Sequence, residues 1–308
     1  MLVIVAVAVT ATVSMRRPEP RNAAAELDSP VVPGPGVVPA ADTKLTADSV
    51  SPAAPEGAKQ SRELMFEFER VTAEWIIQHG GVVTITYETN DGWLAKRTGR
   101  LSELLDFPLT VQTVELLETT LTVNEMSRLR HLHALKGLQI SGPYITDEVF
   151  RICNPTWRLQ WLYTSCPHLT NVGFDALKNY EQTLLTLSVN RSQISDDAVA
   201  DLKSFPLLRQ VLAANTGLTD RSITHFMEFP SLVSLDISDT AVTQAGLKQL
   251  SQFRRLTKLQ IRNLPLTDEG LATLIDLPLV ELDLTGTQVS AAAVQAYQAA
   301  HENCAIQF

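Results

Sequence analysis

Cysteine is scarce in this chain of 308 residues, and positive charge is outweighed by negative charge. Cys153, Cys166 and Cys304 are too few and too far apart for a disulfide framework or a four-ligand zinc site. The 25 basic and 34 acidic residues give a net charge of −9, which argues against nucleic acid as a partner, because that affinity depends on clustered lysine and arginine. With 45% hydrophobic residues, the chain is still long and apolar enough to bury a core.

The chain begins with an apolar run that is short for a membrane span. Residues 2–13 carry no charged side chain and are followed by Arg16, Arg17 and Arg21. A spanning helix needs about 20 apolar residues, and a secretory signal has its positive charges before the apolar run. Three interpretations of residues 1–17 stay open: a membrane anchor whose start lies further upstream, a degenerate signal peptide, and an apolar tail.

We expect the protein to be associated with a membrane through this N-terminal segment alone. As an anchor, the segment would leave the arginines and the rest of the chain on the cytoplasmic side. As a signal peptide, it would instead send the domain to the periplasm or out of the cell. The sequence does not decide between these two sides.

Residues 18–60 are predicted to be a disordered linker. They contain eight of the 16 prolines and nine alanines, and they have no aromatic residue. Such a segment cannot bury enough apolar surface to offset its conformational entropy. Folded sequence is expected from Ser61, a good helix N-cap.

Residues 61–110 are predicted to form an N-terminal cap, a helix followed by a hairpin. The helix has an apolar stripe at helical spacing, made of Leu64, Phe68, Val71 and Trp75. Two β-prone runs, 82–87 and 93–97, flank a turn of Asn, Asp and Gly, which is typical of a hairpin. Residues 101–107 could add a short helix.

An internal repeat dominates the remainder of the chain. The apolar positions of residues 232–253 recur when the segment is shifted by 24 residues in either direction, and the frame continues with one slip over eight units in residues 111–308. In one unit these positions are Leu232, Leu235, Ile237, Val242, Leu247, Leu250 and Phe253.

The pattern L-x-x-L-x-L-x-x-T-x-[LIV]-[TS] resembles the leucine-rich repeat. Units of 23–25 residues with Thr216, Thr240 and Thr287 at the turn are similar to the short bacterial kind, common in planctomycete-type proteins, whose folded part often follows a membrane-anchored or exported N-terminus. The resemblance implies an α/β fold: a right-handed solenoid with a parallel sheet on its concave face, helices on its convex face, an N-terminal cap and a C-terminal cap.

Residue alternation agrees with that fold. Leu235 and Ile237 point to one side of a strand, while Asp236 and Ser238 point to the other. A Thr or Ser stands where each following helix should start, and in four units an aspartate follows it, at Asp147, Asp196, Asp220 and Asp268. These residues suit helix caps and the positive end of the helix dipole.

Enzyme motifs are missing from the sequence. It has no glycine-rich phosphate loop, no G-x-S-x-G elbow and no H-E-x-x-H motif. His131 and His133 are two residues apart on a helical stretch and face different directions, so we expect no metal site there. Cys166 with His168 is a weak nucleophile candidate because no third group accompanies it. We therefore predict a protein without enzymatic activity, cofactor or metal.

The leading hypothesis is a scaffold that binds another protein through its concave face, as a monomer. Two alternatives stay open: a substrate-recognition module of a larger enzyme complex, similar to a ubiquitin-ligase adaptor, and a structural component of the cell envelope. Alternation along the strands gives the residues expected to contact the partner, namely Trp161, Tyr163, Arg191, Leu212, Lys258 and Arg262. A competing interpretation is that Trp161 tilts over Trp157 and only seals an irregular repeat.

Overall fold

The computed structural model describes residues 56–89, 92–104, 108–152 and 155–308. The apolar segment at 1–17, nearly all of the linker at 18–60, and Cys153 lie outside the described residues. Within the described part, no helix combines the length and the apolar character that a membrane span requires.

The first helix, α1, spans Glu56–Gln78 and so begins about one turn before Ser61. Ser61 therefore lies inside the helix and does not cap it, and the helix begins five residues upstream of the predicted start. The physical reason is local: alanine, lysine and glutamine at positions 58–60 are good helix formers, so the helix continues upstream of the serine.

The hairpin and the strands of the repeats form one sheet of eleven strands in the described residues. The strands are β1 Val82–Thr89, β2 Gly92–Thr98, β3 Leu109–Leu116, β4 Gly137–Ser141, β5 Trp161–Ser165, β6 Thr186–Asn190, β7 Gln210–Leu212, β8 Ser234–Asp236, β9 Lys258–Gln260, β10 Glu281–Asp283 and β11 Ala305–Gln307. Their order is β11-β10-β9-β8-β7-β6-β5-β4-β3-β1-β2. Strands β3 to β11 are parallel, and β1 pairs antiparallel with both β2 and β3.

A short helix follows each repeat strand. The helices are α2 Val123–Met126, α3 Glu148–Ile152, α4 Asn171–Phe174, α5 Asp196–Asp201, α6 Asp220–Phe226, α7 Gln244–Gln249, α8 Asp268–Thr273 and α9 Ala291–Ala300. Several continue into 3₁₀ turns, as at Ser127–His131 and Asp175–Tyr180. Of the short helix expected at 101–107, Leu101–Glu103 form a 3₁₀ turn, and residues 105–107 lie outside the described residues.

The register of the strands stacks the leucines of the repeat in rows. Leu162 pairs with Leu187, Leu187 with Val211, Val211 with Leu235, and Leu235 with Leu259. All of these side chains are buried, as are the apolar residues of the following turns and helices. The described part is therefore a leucine-rich-repeat solenoid, and the predicted α/β fold class is confirmed.

The helix N-termini carry hydrogen bonds that join one repeat to the next. At the start of α3, α5, α6 and α8, an aspartate carboxylate accepts bonds from both the backbone N–H and the hydroxyl of the N-cap residue in the following repeat. The pairs are Asp147 with Thr170, Asp196 with Thr219, Asp220 with Thr243, and Asp268 with Ser290. These bonds lower the pKa of Asp268 below its ordinary value. The aspartates predicted to serve their own helices thus also fix the spacing between repeats.

We expect core leucines to act locally along the stack. Leu235→Ala should lower the free energy of unfolding by about 2–5 kcal/mol, the usual range for truncation of a buried aliphatic side chain. Because each repeat contacts only its neighbours, hydrogen exchange should accelerate most in the repeats of β7 and β9. Leu207→Ala, at a largely exposed leucine, is the matched control. A uniform loss of protection over the whole described part would contradict this expectation.

The apolar stripe predicted for α1 lies mostly in solvent. Leu64, Phe68 and Val71 keep about half of their surface exposed, and only Trp75 is buried. The helix contacts β1 and β3 through an adjacent face made of Glu69, Thr72, Ala73 and Ile76. Threonine and alanine are small and allow close approach to the sheet. Helical spacing identifies an apolar stripe but does not say which side of the helix another element covers.

Glu69 fixes α1 to the first repeat. Its buried carboxylate accepts hydrogen bonds from the backbone N–H groups of Val111, at 2.7 Å, and His133, at 2.9 Å. The Nδ1 atom of the His133 ring lies 3.7 Å from the same carboxylate. Burial raises the pKa of Glu69 above its ordinary value, and the two backbone donors and His133 oppose that shift. One side chain therefore connects the cap to β3 and to the segment after α2.

Glu69→Gln should destabilise the cap because the amide has one acceptor oxygen for two N–H donors. We expect a loss of about 1–3 kcal/mol in the free energy of unfolding at neutral pH. Hydrogen exchange should accelerate at the amides of Val111 and His133. Glu67→Gln, at an exposed position of the same helix, should change neither measurement.

The difference in the free energy of unfolding between the native protein and the Glu69→Gln variant should change with pH in a definite direction. Folding raises the pKa of Glu69 above its ordinary value of about 4.5. At pH values between the ordinary and the raised pKa, the folded protein therefore binds more protons than the unfolded chain. The native protein therefore loses stability as pH rises through this window, and the Gln variant does not. Denaturant titrations at several pH values should show a stability difference that shrinks with rising pH. A difference that grows would mean that the two backbone bonds outweigh the effect of burial.

Candidate functional site

The open face of the sheet, which points away from the core, is the candidate site. It carries the side chains that alternate with the buried leucines along each strand. On β5 to β10 these are Trp161, Tyr163, Ser165, Thr186, Ser188, Asn190, Gln210, Leu212, Ser234, Asp236, Lys258, Gln260, Glu281 and Asp283. The alternation predicted from the sequence therefore places Trp161, Tyr163, Leu212 and Lys258 on one face.

Trp161 and Tyr163 form an aromatic pair on β5. Their ring centres are 5.5 Å apart, with the planes inclined by 55°. The indole of Trp161 lies over Gly137 on β4, where a Cβ atom would overlap with the ring. On the other side, the β6 residues that pair with Trp161 and Tyr163 are Thr186 and Ser188, which are small and polar. The pair is therefore the largest apolar feature of this part of the open face.

The aromatic pair is separate from Trp157. The Trp157 side chain is buried, and its Nε1–H donates to the carbonyl oxygen of Leu132 at 2.6 Å. Trp161 instead contacts Tyr163 and covers Gly137. Both rings of the pair stay partly exposed. Partial burial raises the pKa of Tyr163, so its hydroxyl stays protonated at neutral pH and can donate a hydrogen bond.

A polar pocket of about 230 Å³ lies at the carboxyl ends of β6 to β9. It brings together Arg191 and Arg262, two of the residues predicted from the sequence, although they are three repeats apart. The other lining residues are Asn190, Ala214, Asn215, Asp236, Ser238 and Asp239.

The turns beside this pocket share an unusual backbone conformation. In five successive repeats the equivalent residue has a positive φ, between 55° and 74°: Arg191, Asn215, Asp239, Asn263 and Gly286. Glycine, asparagine and aspartate tolerate this left-handed conformation. For other residues it costs about 1–2 kcal/mol. Arg191 is therefore the exception in this series.

Arg262 lies among carboxylates. Its Nε atom is 3.9 Å from the buried carboxylate of Asp283, and its backbone N–H donates to the hydroxyl of Ser238 at 3.0 Å. Burial raises the pKa of Asp236, and hydrogen bonds from Ser238 and the charge of Arg262 oppose that shift. The charge of Arg262 is thus largely balanced within the protein.

Lys258 and Leu212, the other two residues predicted to contact a partner, belong to neither the aromatic pair nor the polar pocket. Lys258 forms an ion pair with Glu281, with 2.8 Å between Nζ and Oε2. Leu212 lies on the open face beside Ser188 of β6 and Asp236 of β8, between the aromatic pair and the C-terminal repeats. The structure therefore groups the predicted residues into an aromatic pair and a polar pocket, with Leu212 between them and Lys258 apart.

Candidate chemistry elsewhere in the described part is weak. Cys166 is buried, its Sγ lies 3.7 Å from the carbonyl oxygen of Ile140, and burial raises its pKa to about 11, so the thiol is protonated and a poor nucleophile. The rings of His131 and His133 contact Phe68 and Glu69 respectively. Among the described residues, no three of His, Cys, Asp and Glu are grouped to hold a metal ion.

Sequence reasoning missed three parts of this site. Gly137 makes room for the indole, and Asn215 and Ser238 line the pocket. A signal for the turn was present, because Asn215, Asp239 and Asn263 recur at a spacing of 24 residues and belong to the types that accept positive φ.

No protein-family model and no curated protein match the chain. Among solved structures, it is similar to the crystal structure of internalin C2 from Listeria monocytogenes, with 23% identity over 64% of this chain and 80% of that chain, at a TM-score of 0.46. It is also similar to actin-binding site 2 of leiomodin-1, with 18% identity over 42% of this chain and 87% of that chain, at a TM-score of 0.34.

Gly137→Ala should displace the indole of Trp161, because the new methyl group would occupy the space of the ring. In a proton–nitrogen correlation spectrum, the indole N–H signal of Trp161 should move while that of Trp157 stays in place. Gly99→Ala, where the nearest atom is a valine methyl at 3.2 Å, is the control. An unchanged Trp161 signal would contradict the position of the ring over β4.

Proposed function

We propose that this chain is a non-enzymatic scaffold that binds a protein partner through the open face of its sheet. The observation that carries the proposal is the aromatic pair, Trp161 with Tyr163, which lies on the open face of the sheet beside small polar side chains. Large aromatic side chains contribute most of the binding energy when a partner buries them. The sheet holds both rings in place before binding, so little conformational entropy is lost.

The neighbouring residues support the same surface. Leu212 adds an aliphatic side chain two strands away, and Arg191 stands at the turn that ends β6. Arginine and aromatic residues are both enriched in protein interfaces. We propose that the partner covers β5 to β7 and reaches the polar pocket.

We further propose that residues 1–17 tether the protein to a membrane, as the uncharged run followed by three arginines suggests. The tether would keep the open face close to partners at the membrane. Fractionation of the full chain, compared with a chain that begins shortly before Glu56, tests this part separately. A full chain recovered only in the soluble fraction would contradict it.

Trp161→Ala should weaken partner binding by about thirtyfold or more, which corresponds to a hot-spot loss of about 2 kcal/mol. The test is quantitative mass spectrometry of proteins that co-purify with the full chain from native cells. We expect a recurrent partner that is lost from the Trp161 variant while the melting temperature stays nearly unchanged.

The matched control is Trp93→Ala, at an exposed tryptophan on β2 outside the site, which should retain the partner. Recovery of the same partner with the Trp161 variant, or a melting temperature lowered by many degrees, would overturn the proposed site. Recurrent ligase subunits or envelope material among the captured proteins would favour one of the two alternatives.

A further inference from the structure

Arg191 is the charged residue of the polar pocket that lacks an internal partner. Asp236 accepts a hydrogen bond from the Ser238 N–H, Asp239 accepts one from the Asn263 side chain at 2.6 Å, and Arg262 is close to Asp283. Among the described residues, the Arg191 guanidinium has neither an ion pair nor a hydrogen bond, and only its backbone N–H is engaged, with Ala214. Its five N–H donors are therefore free for a ligand.

The backbone of Arg191 adds an independent observation. The equivalent residues in the next four repeats are asparagine, aspartate or glycine, which accept a positive φ. Glu118, at the equivalent place in the first repeat, is also left-handed, but its carboxylate accepts a hydrogen bond from Ser141. Arg191 has the strain without such a bond. Strained residues that the fold itself does not use are concentrated at binding sites.

We propose that Arg191 and Asn215 bind a carboxylate group of the partner's polypeptide in this pocket. The inference rests on the proposed function: the aromatic pair is the first contact with the partner, and Arg191 with Asn215 is the second. The planar guanidinium matches a carboxylate in a bidentate way. The Asn215 side chain stands at the equivalent turn of the next repeat, has no hydrogen bond among the described residues, and supplies further N–H donors.

The charges of the pocket favour a carboxylate over a phosphate group. Asp236 and Asp239 form part of the pocket wall. They repel a ligand group in proportion to its negative charge. A phosphate group carries nearly two negative charges and a carboxylate carries one, so the phosphate group is disfavoured more. They also disfavour entry of a long anionic segment.

The register of the strands sets the distance between the aromatic pair and Arg191. Tyr163 lies beside Ser188, and Arg191 follows three residues later, about 10 Å along the strand direction. An extended peptide covers that distance in about three residues. The partner segment should therefore have an apolar or aromatic residue against the rings, two intervening residues, and then a carboxylate.

Three synthetic peptides test the inference on the nitrogen-15-labelled full chain. The first is acetyl-Tyr-Gly-Ser-Glu-amide, the second has Gln in place of Glu, and the third has that Gln with a free C-terminal carboxylate. The signals to follow are the indole N–H of Trp161 and the Nε–H of Arg191.

We expect the Glu peptide to shift both signals, with a half-saturation concentration at least fivefold lower than that of the neutral peptide. Tight binding of the third peptide would identify a C-terminal carboxylate as the group that is recognised. Tight binding of the first peptide alone would identify the carboxylate of an acidic side chain.

The deciding variant is Arg191→Asn, since asparagine tolerates the left-handed turn. It should raise the half-saturation concentration of the Glu peptide at least fivefold, to that of the neutral peptide, while the melting temperature stays the same or rises. Arg158→Asn, at another exposed arginine, is the control and should leave the Glu peptide unaffected. Equal binding of the charged and neutral peptides, or unchanged binding by the Arg191 variant, would overturn the inference and leave the aromatic site standing. Failure of every peptide to shift the Trp161 signal would count against both.

Discussion

No single repeat of this chain can bury its own leucines, and the rest of the structure depends on that constraint. Each strand has one apolar face and a short helix beside it, so its core side chains are covered only when the next repeat stacks in register. The two end repeats lack one neighbour. α1 and the hairpin of β1 and β2 cover one end, and α9 with β11 cover the other. A buried carboxylate at Glu69 is tolerated in the cap because two backbone N–H groups from the first repeat need an acceptor there.

Stacking by leucines alone would allow neighbouring repeats to slide or rotate. The aspartates at the helix N-termini restrict this, because each carboxylate accepts two hydrogen bonds from the N-cap residue of the next repeat. One short side chain therefore satisfies polar groups at a helix end and fixes the distance to its neighbour. Where the aspartate is absent, an amide takes its place, as when the Gln244 side chain accepts from the Thr267 N–H. The recurrence of polar residues at this position thus has a structural explanation.

Periodicity in the sequence predicted most of the architecture of the repeats. The spacing of 24 residues is enough to place the strands, the buried row that includes Leu235 and Leu259, and the face that carries Trp161 and Tyr163. It could not place the start of α1 or its packed face, because Leu64 and Phe68 have the right helical spacing and yet both keep about half of their surface exposed. The periodicity also could not reveal the pocket, which depends on the conformation of the turns and on residues from four successive repeats. Left-handed turns can be anticipated at Asn and Asp, but not at an arginine.

The candidate site is built from departures from the repeat. Most positions of the open face are small or polar, and some of them bond to the following turn, as when Asp236 accepts from the Ser238 N–H. Gly137 and Trp161 are different, because the glycine on one strand is what allows the ring on the next to lie flat. Arg191 is different because the turn would be less strained with the residue types of the following repeats. In a repeat protein the fold accounts for what the units share, so the proposed partner contacts rest on the residues that depart from the shared pattern, Trp161 with Gly137 beneath it and Arg191 at its strained turn.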